Sequence, residues 1–161
     1  MTSTASTRTV SLTQWEYVQA CLVGIMRSAE NLSAGRQHRH GAQPERAEEY
    51  SIRGAVGEAV VAKYLDRYWL GCGVLGGADV GRYQVRATAI PDLGVRLNHW
   101  DQDGDVFVSV HVVQNVGEIL GWISGVEGKL EEYWIDRFRN GRPAYFVPRS
   151  ALRPMEELPG A

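Results

Sequence analysis

The run Val106–Val113, which reads VFVSVHVV, constrains the fold of this chain more than any other segment. Six of its eight residues are apolar, and five of these are the β-branched valine. Such a run is typical of a strand at the centre of a sheet, covered on both faces. The sequence therefore predicts a sheet with other elements packed on both sides.

Two helices are predicted before that strand. Ser11 is the expected N-cap of the first, whose apolar residues recur at spacings of three and four, and this helix ends near Asn31. Those apolar residues are Leu12, Trp15, Val18, Cys21, Leu22 and Ile25. The second helix is predicted over residues 45–69, and Gly54 and Gly57 within it indicate that another element packs closely there.

After Gly71 the sequence changes to glycine-rich turns and short β-prone runs. The strands are predicted at residues 83–88, 95–98, 106–113 and 119–123. Between two of these strands, the acidic sequence Asp101–Asp105 is interpreted as a solvated hairpin turn. A short helix is predicted over 130–138, and residues 143–148, with proline at either end, are expected to form an edge strand.

Length and composition indicate a single α/β domain with a mixed β-sheet flanked by helices. The 161 residues are 44% hydrophobic and 22% charged, which is ordinary for a globular domain. Residues 11–156 are predicted to form this domain, with a disordered tail at 1–10 and a loose C-terminal tail at 157–161. Residues 1–10 lack the apolar segment typical of a secretory leader, and no apolar run reaches membrane-spanning length, so a cytoplasmic protein is expected.

Three polar features follow one another in a distinctive order. Glu58 lies in the second predicted helix, Asp79 follows a glycine-rich turn, and Gln84 and Arg86 lie two positions apart on the next strand. Residues two apart on a strand share a face, and a bend at Gly81 can bring Asp79 towards the same point. This set resembles the PD-(D/E)xK nuclease superfamily, whose core is a helix, a three-stranded meander, a second helix and a further strand.

The resemblance implies a restriction-endonuclease-like core, preceded here by an extra N-terminal helix, and a metal-dependent nuclease. It implies that Glu58, Asp79 and Gln84 bind Mg²⁺ or Mn²⁺, and that these three residues and Arg86 are catalytic. In the family's chemistry the ion activates a water and stabilises charge on the phosphate, while a lysine positions or deprotonates that water.

Gln84 and Arg86 depart from the family's usual glutamate and lysine. The amide of Gln84 offers a neutral oxygen, and one unit charge pair at about 4 Å is worth about 4 kcal/mol at an effective dielectric of about 20. The predicted site therefore binds a cation more weakly than a full carboxylate set does. Arginine stays charged and cannot accept a proton, so Arg86 is suited to holding a phosphate or stabilising charge.

A looser resemblance to small bacteriophage proteins extends over residues 54–154. It is carried by the segments Asp79–Arg86, Gly121–Ile123 and Ala144–Pro148, and it implies the cytoplasm of a phage's host cell. Three functions stay open. The first is a metal-dependent nuclease acting on DNA, the second an inactive nuclease-fold binding or accessory protein of a phage, and the third a structural protein in which these polar residues only face solvent.

The formal net charge of −2 argues against a surface that is basic throughout. It leaves room for a local basic groove through which the protein contacts DNA. Residues 36–40, with two arginines and two histidines, are expected to form an exposed loop that contacts phosphates if DNA binds. The oligomeric state is left open, a homodimer included.

Overall fold

The computed structural model describes residues 8–36, 46–71 and 77–161. Its strands are β1 (Arg8–Ser11), β2 (Tyr83–Thr88), β3 (Val95–Leu97), β4 (Val106–Val113), β5 (Val116–Ser124), β6 (Trp134–Ile135) and β7 (Ala144–Val147). Its helices are α1 (Gln14–Ser33), α2 (Ala47–Tyr64) and the single turn α3 (Gly125–Gly128). The protein is therefore of the α/β class, as predicted.

The larger sheet is mixed and has the strand order β1-β5-β4-β2. Strand β4 pairs with β5 in antiparallel and with β2 in parallel orientation, and its first five residues are buried. The prediction of a central strand over Val106–Val113 is confirmed with both of its bounds. Strand β2, which carries Gln84 and Arg86, lies at the edge of this sheet.

The smaller sheet has the order β3-β7-β6. Strand β7 is its central strand, so the prediction of an edge strand over 143–148 is wrong. Pro143 and Pro148 flank β7 without interrupting it, which leaves the strand's own N–H groups able to pair on both sides. The predicted helix over 130–138 is also wrong, because Glu131–Tyr133 form one 3₁₀ turn and β6 then pairs with β7.

Helix α2 lies between α1 and the larger sheet, and residues 55–62 in it are all buried. A Cβ at Gly24 of α1 would lie 2.4 Å from the Cα of Ile52, and a Cβ at Gly57 would lie 2.9 Å from the Cβ of Ala87 on β2. The predicted close packing is confirmed at Gly57, whereas Gly54 has nothing within 4 Å of an added Cβ.

The helix boundaries differ from those predicted. Thr13, and not Ser11, is the N-cap of α1: the Glu16 amide donates to the Thr13 hydroxyl at 3.3 Å, and the Thr13 amide donates to the Glu16 carboxylate at 2.6 Å. Ser11 instead ends β1. Helix α2 ends at Tyr64, several residues before the predicted end.

Both predicted tails are partly wrong. Residues 8–10 pair with β5 as part of β1, while residues 1–7 lie outside the described residues. At the other end, Leu158 is buried in the core, and the Tyr83 hydroxyl donates to the carbonyl of Pro159 at 2.7 Å. The last residues are therefore held against the domain, because the core extends to them.

The order of the elements also differs from the core that the resemblance implies, in which a helix, a three-stranded meander, a second helix and a further strand follow one another. After β2 the chain leaves the larger sheet to form β3, and it returns as β4 parallel to β2, whereas neighbours in a meander are antiparallel. In the described part of the chain, the helical structure between β5 and β6 consists only of α3 and one 3₁₀ turn.

Candidate functional site

A cleft of about 940 Å³ lies between α2, β2 and the smaller sheet. Its lining includes the arginines Arg46, Arg53, Arg86, Arg96 and Arg142 and the carboxylates Glu49, Glu58 and Asp79. Three of the four predicted site residues, Glu58, Asp79 and Arg86, thus line the same cleft. Gln84 does not line it.

Glu58 is buried and accepts three hydrogen bonds. Arg27 of α1 donates from Nη1 to Oε1 at 2.7 Å and from Nη2 to Oε2 at 2.9 Å, and the indole of Trp69 donates to Oε2 at 3.0 Å. This bidentate arrangement is the strong form of an arginine–carboxylate pair. It fixes the orientation of the Glu58 carboxylate in the wall of the cleft.

Arg27 and Trp69 were not among the predicted site residues. The sequence does contain an indication of Arg27. It follows Ala20 by seven positions and Gly24 by three, so the three residues lie on one helix face. Ala20 and Gly24 are buried. A charged side chain on a helix face that packs on another helix requires a partner. The sequence alone does not indicate which residue that partner is.

Asp79 lies shortly before β2 in the chain. Its Oδ2 accepts the amide of Val85 at 2.8 Å, and its own amide donates to the carbonyl of Tyr83 at 3.0 Å. Burial, followed by repulsion from the nearby Glu58 carboxylate, raises the pKa of Asp79 from 3.8 to about 6, against smaller opposing effects of the Val85 amide, Arg86 and Arg27. The two acidic side chains are therefore close enough to repel each other.

Asp79→Asn is expected to stabilise the protein at pH 8 and to have little effect at pH 4. A carboxyl whose pKa is raised on folding favours the folded state while it is protonated, and that contribution is lost as the pH rises from about 4 to about 6. Asparagine keeps an acceptor for the Val85 amide and never ionises. The gain at pH 8 should be about 1–3 kcal/mol. The measurement is the difference in Tm between the variant and wild type at pH 4 and at pH 8. An equal difference at both pH values would contradict the prediction.

Gln84 lies on the other side of β2 from Glu58. Val85 faces α2, since its Cγ1 lies 3.7 Å from a Cβ placed on Gly57, and alternation along a strand turns Gln84 and Arg86 the opposite way. The Gln84 amide donates to the carbonyl of Gly77 at 3.5 Å. The predicted convergence of Gln84 with Glu58 and Asp79 is therefore not found.

Arg86 is held by contacts of its own. It donates from Nη2 to Asp101 Oδ1 at 3.0 Å, and its guanidinium carbon lies 5.0 Å from the centre of the Phe107 ring. The Asp101 side chain is only 9% exposed and also accepts the amide of Asn98 at 2.8 Å. The interpretation of Asp101 as part of a solvated turn is therefore wrong, because its carboxylate is an internal acceptor.

The residues predicted to bind Mg²⁺ or Mn²⁺ do not fit such an ion as they are placed. Both oxygens of Glu58 accept N–H groups, and Gln84 lies on the far face of β2. Mg²⁺ requires near-octahedral oxygen ligands, so it would have to displace Arg27 from Glu58. Over residues 8–36, 46–71 and 77–161, no group of three or more His, Cys, Asp or Glu side chains is placed to hold a metal ion. Metal binding stays a prediction.

The remaining arginines give the cleft its charge. Arg53 lies 5.5 Å from the Tyr50 ring centre and pairs with Glu49, and Arg96 lies 5.8 Å from the ring centre of Phe146. Burial lowers the pKa of Arg96.

Arg46 and Arg142 are exposed in this cleft. Within the described residues, neither has a carboxylate oxygen within 4 Å of its guanidinium. Most of the expected basic loop at residues 36–40 lies outside the described residues, so its contribution to the cleft stays a prediction.

The chain matches no protein-family model, no curated protein and no solved structure. The resemblance to the PD-(D/E)xK nucleases therefore stays an expectation. None of the helices in the described part of the chain is long and apolar enough to cross a membrane.

Proposed function

We propose that the cleft binds the phosphate backbone of a nucleic acid, and that this protein is a binding or accessory protein without nuclease activity. The proposal takes up the binding role in the second of the three functions that the sequence left open. The observation that carries it is the gathering of five arginines on one cleft of a chain whose net charge is −2.

Arg46 and Arg142 are the residues best suited to contact phosphates. Each presents a planar fork of N–H donors that matches two phosphate oxygens, and each is exposed. Arg53, Arg86 and Arg96 already have partners within the protein. The charges of Arg53 and Arg86 are balanced by Glu49 and Asp101, so Arg46 and Arg142 supply the positive charge that is open to a ligand.

The carboxylates of the cleft oppose an anion less than their number suggests. Glu49 pairs with Arg53, and Glu58 pairs with Arg27, so two of the three are neutralised by an adjacent cation. The pKa of Asp79 is raised to about 6, so part of its population is protonated just below neutral pH. The field in the cleft is therefore positive.

Two exposed rings favour unpaired bases over duplex as the ligand. Tyr50 and Phe138 line the cleft and are more than 40% exposed. Stacking of a base on an aromatic side chain is worth about 1–3 kcal/mol, and it requires a base that is not already stacked in a helix. The proposed ligand is therefore single-stranded DNA or RNA.

A second candidate is the metal-dependent nuclease implied by the resemblance. The observation in its favour is that Asp79 and Glu58 line one cleft and that the pKa of Asp79 is strongly raised, which is common in functional sites. It requires Glu58 to leave Arg27, so the binding function is the one that the geometry favours.

The arginines can be tested by replacing Arg46 and Arg142 together with glutamine. Binding of a fluorescein-labelled single-stranded oligonucleotide, followed by fluorescence anisotropy, is expected to weaken by about 10–100-fold, since two charge-assisted contacts are lost. The slope of log K against log salt concentration should fall by about 1.4. The matched control is Arg67→Gln with Arg82→Gln, which removes the same charge from exposed positions outside the cleft and should change binding little.

The same oligonucleotides incubated with Mg²⁺ or Mn²⁺ should stay intact. Cleavage that disappears in Asp79→Ala would contradict the binding proposal and establish the second candidate. Absence of any binding at low salt, or an equal loss in the control pair, would contradict the assignment of this cleft.

A further inference from the structure

Helix α1 presents an apolar face to solvent. The residues of this face are Trp15, Val18, Leu22, Ile25, Ala29 and Leu32. Trp15 is 72% exposed, Leu22 54% and Leu32 83%, and Val18 and Ile25 are exposed at 37% and 40%. Large apolar side chains in a contiguous exposed row are unusual for a monomer and are typical of an interaction site.

The opposite face of α1 packs on α2, so this exposure does not come from a detached helix. Ala20 and Gly24 are buried against α2, and Arg27 reaches from the same side to Glu58. These residues lie on the face of α1 opposite the apolar row, since a residue advances by about 100° around a helix. Helix α1 therefore has more apolar residues than its contact with α2 buries.

The spacing of the row indicates that another helix covers it. Its members recur at intervals of three, four, three, four and three, which are the a and d positions of a heptad repeat. A surface helix that packs on one domain core usually has a wider apolar stripe. The narrow seam at a and d is the pattern by which two helices interlock side chains.

The flanking positions indicate that the partner can be an identical helix. The e and g positions of this repeat are Gln14, Gln19, Cys21, Met26, Ser28 and Ser33, and none is charged. Two copies can therefore meet along this face without placing like charges opposite each other. The nearby Glu16 is already paired with Lys63 at 2.7 Å.

The chain's own remaining segments offer little to cover the seam. Residues 1–7, 37–45 and 72–76 contain three large apolar side chains, those of Met1, Val74 and Leu75. The seam and the adjacent Met26 present six large apolar side chains. A second copy of α1 supplies an equal apolar face, which these segments cannot.

The area is sufficient for a specific dimer. If a fully exposed large side chain presents about 200 Å², covering these six at their observed exposures removes roughly 700 Å² per copy and roughly 1,400 Å² in a pair. Specific interfaces bury about 1,200–2,000 Å² in total. The seam alone therefore reaches the range of stable complexes.

We infer that the protein is a homodimer in which α1 of one copy packs against α1 of the other through Trp15, Val18, Leu22, Ile25, Ala29 and Leu32. None of these residues lines the arginine cleft, so dimerisation leaves that cleft open. The inference is independent of the proposed nucleic-acid binding.

The dimer is tested by sedimentation velocity and light scattering on the full chain at micromolar concentration. Wild type is expected at twice the chain mass of 17.9 kDa, and Leu22→Glu with Ile25→Glu at the monomer mass, because each dimer would bury four unpaired carboxylates. The matched control is Val113→Glu, since Val113 is 56% exposed and lies on β4, and it should stay dimeric. An unchanged circular dichroism spectrum shows that the double variant is folded.

A dimeric double variant, or a Val113→Glu protein as monomeric as the double variant, overturns the assignment of this seam. A monomeric wild type overturns the dimer. Oxidative footprinting of Trp15 in that monomer then distinguishes the other occupants: slow oxidation means that the chain covers its own helix, and rapid oxidation leaves the seam for a different protein.

Discussion

Arg27→Met is expected to destabilise the protein by about 3–5 kcal/mol, because it leaves the buried carboxylate of Glu58 without its cation. Trp69 would still donate one hydrogen bond, but one neutral donor does not replace two charged ones. In a chain of this length the loss should lower Tm by about 10 °C. Thermal unfolding followed by circular dichroism measures it.

Two further variants test whether the loss of stability comes from the unpaired charge of Glu58. Glu58→Gln added to Arg27→Met should restore a large part of the lost stability, because an amide can still accept the indole N–H and carries no charge. Arg8→Met, which breaks the exposed pair of Arg8 with Glu156, should leave stability nearly unchanged, because solvent screens that pair. If Arg27→Met costs no more than Arg8→Met, the pair with Glu58 does not hold α1 on α2.

Gly24→Ala and Gly54→Ala are expected to change stability in opposite directions. A Cβ at Gly24 would lie 2.4 Å from the backbone of Ile52, so α1 and α2 would have to separate, which costs about 1–3 kcal/mol. Gly54 has open space around it, so alanine there should stabilise by about 0.5–1 kcal/mol through helix propensity alone. Urea unfolding of both variants gives the two values.

Comparing the two substitutions is informative because both Gly24 and Gly54 lie inside helices. Propensity favours alanine at each, and only the distance to the neighbouring helix differs. A stabilising Gly24→Ala would mean that the two helices can move apart freely, and it would contradict the close contact at Ile52. The same result would weaken the account of Arg27, whose reach to Glu58 depends on that contact.

The sequence by itself determined those strands and helices that are specified by patterns of neighbouring residues. The limits of β4 follow from its run of β-branched residues, and β2 follows from alternation over six residues. Both patterns reflect the same physical fact, that side chains on a strand must match the apolar or aqueous face they meet. The α/β class follows from these strands and the two preceding helices.

The sequence also predicted part of the candidate site. Glu58, Asp79 and Arg86 line one cleft, as their order along the chain suggested. Gln84 does not, although it shares a face of β2 with Arg86, and its amide instead donates to the carbonyl of Gly77 at 3.5 Å. Both side chains point away from α2, which faces Val85 and Ala87. Which side faces α2 depends on how the helix lies on the sheet, and no local pattern specifies it.

Only the tertiary structure decided the partners. Arg27 and Glu58 are 31 residues apart, and Arg86 and Asp101 are 15 apart, so no local pattern pairs them. β7 became a central strand because β6 paired with its second edge, although two prolines beside it suggested otherwise. Which apolar face of α1 meets the core was decided by the small residues Ala20 and Gly24, which let two helices approach. Local sequence fixes which face a side chain can occupy, whereas long-range packing selects its neighbour, because many arrangements satisfy the same local pattern and only one closes the core.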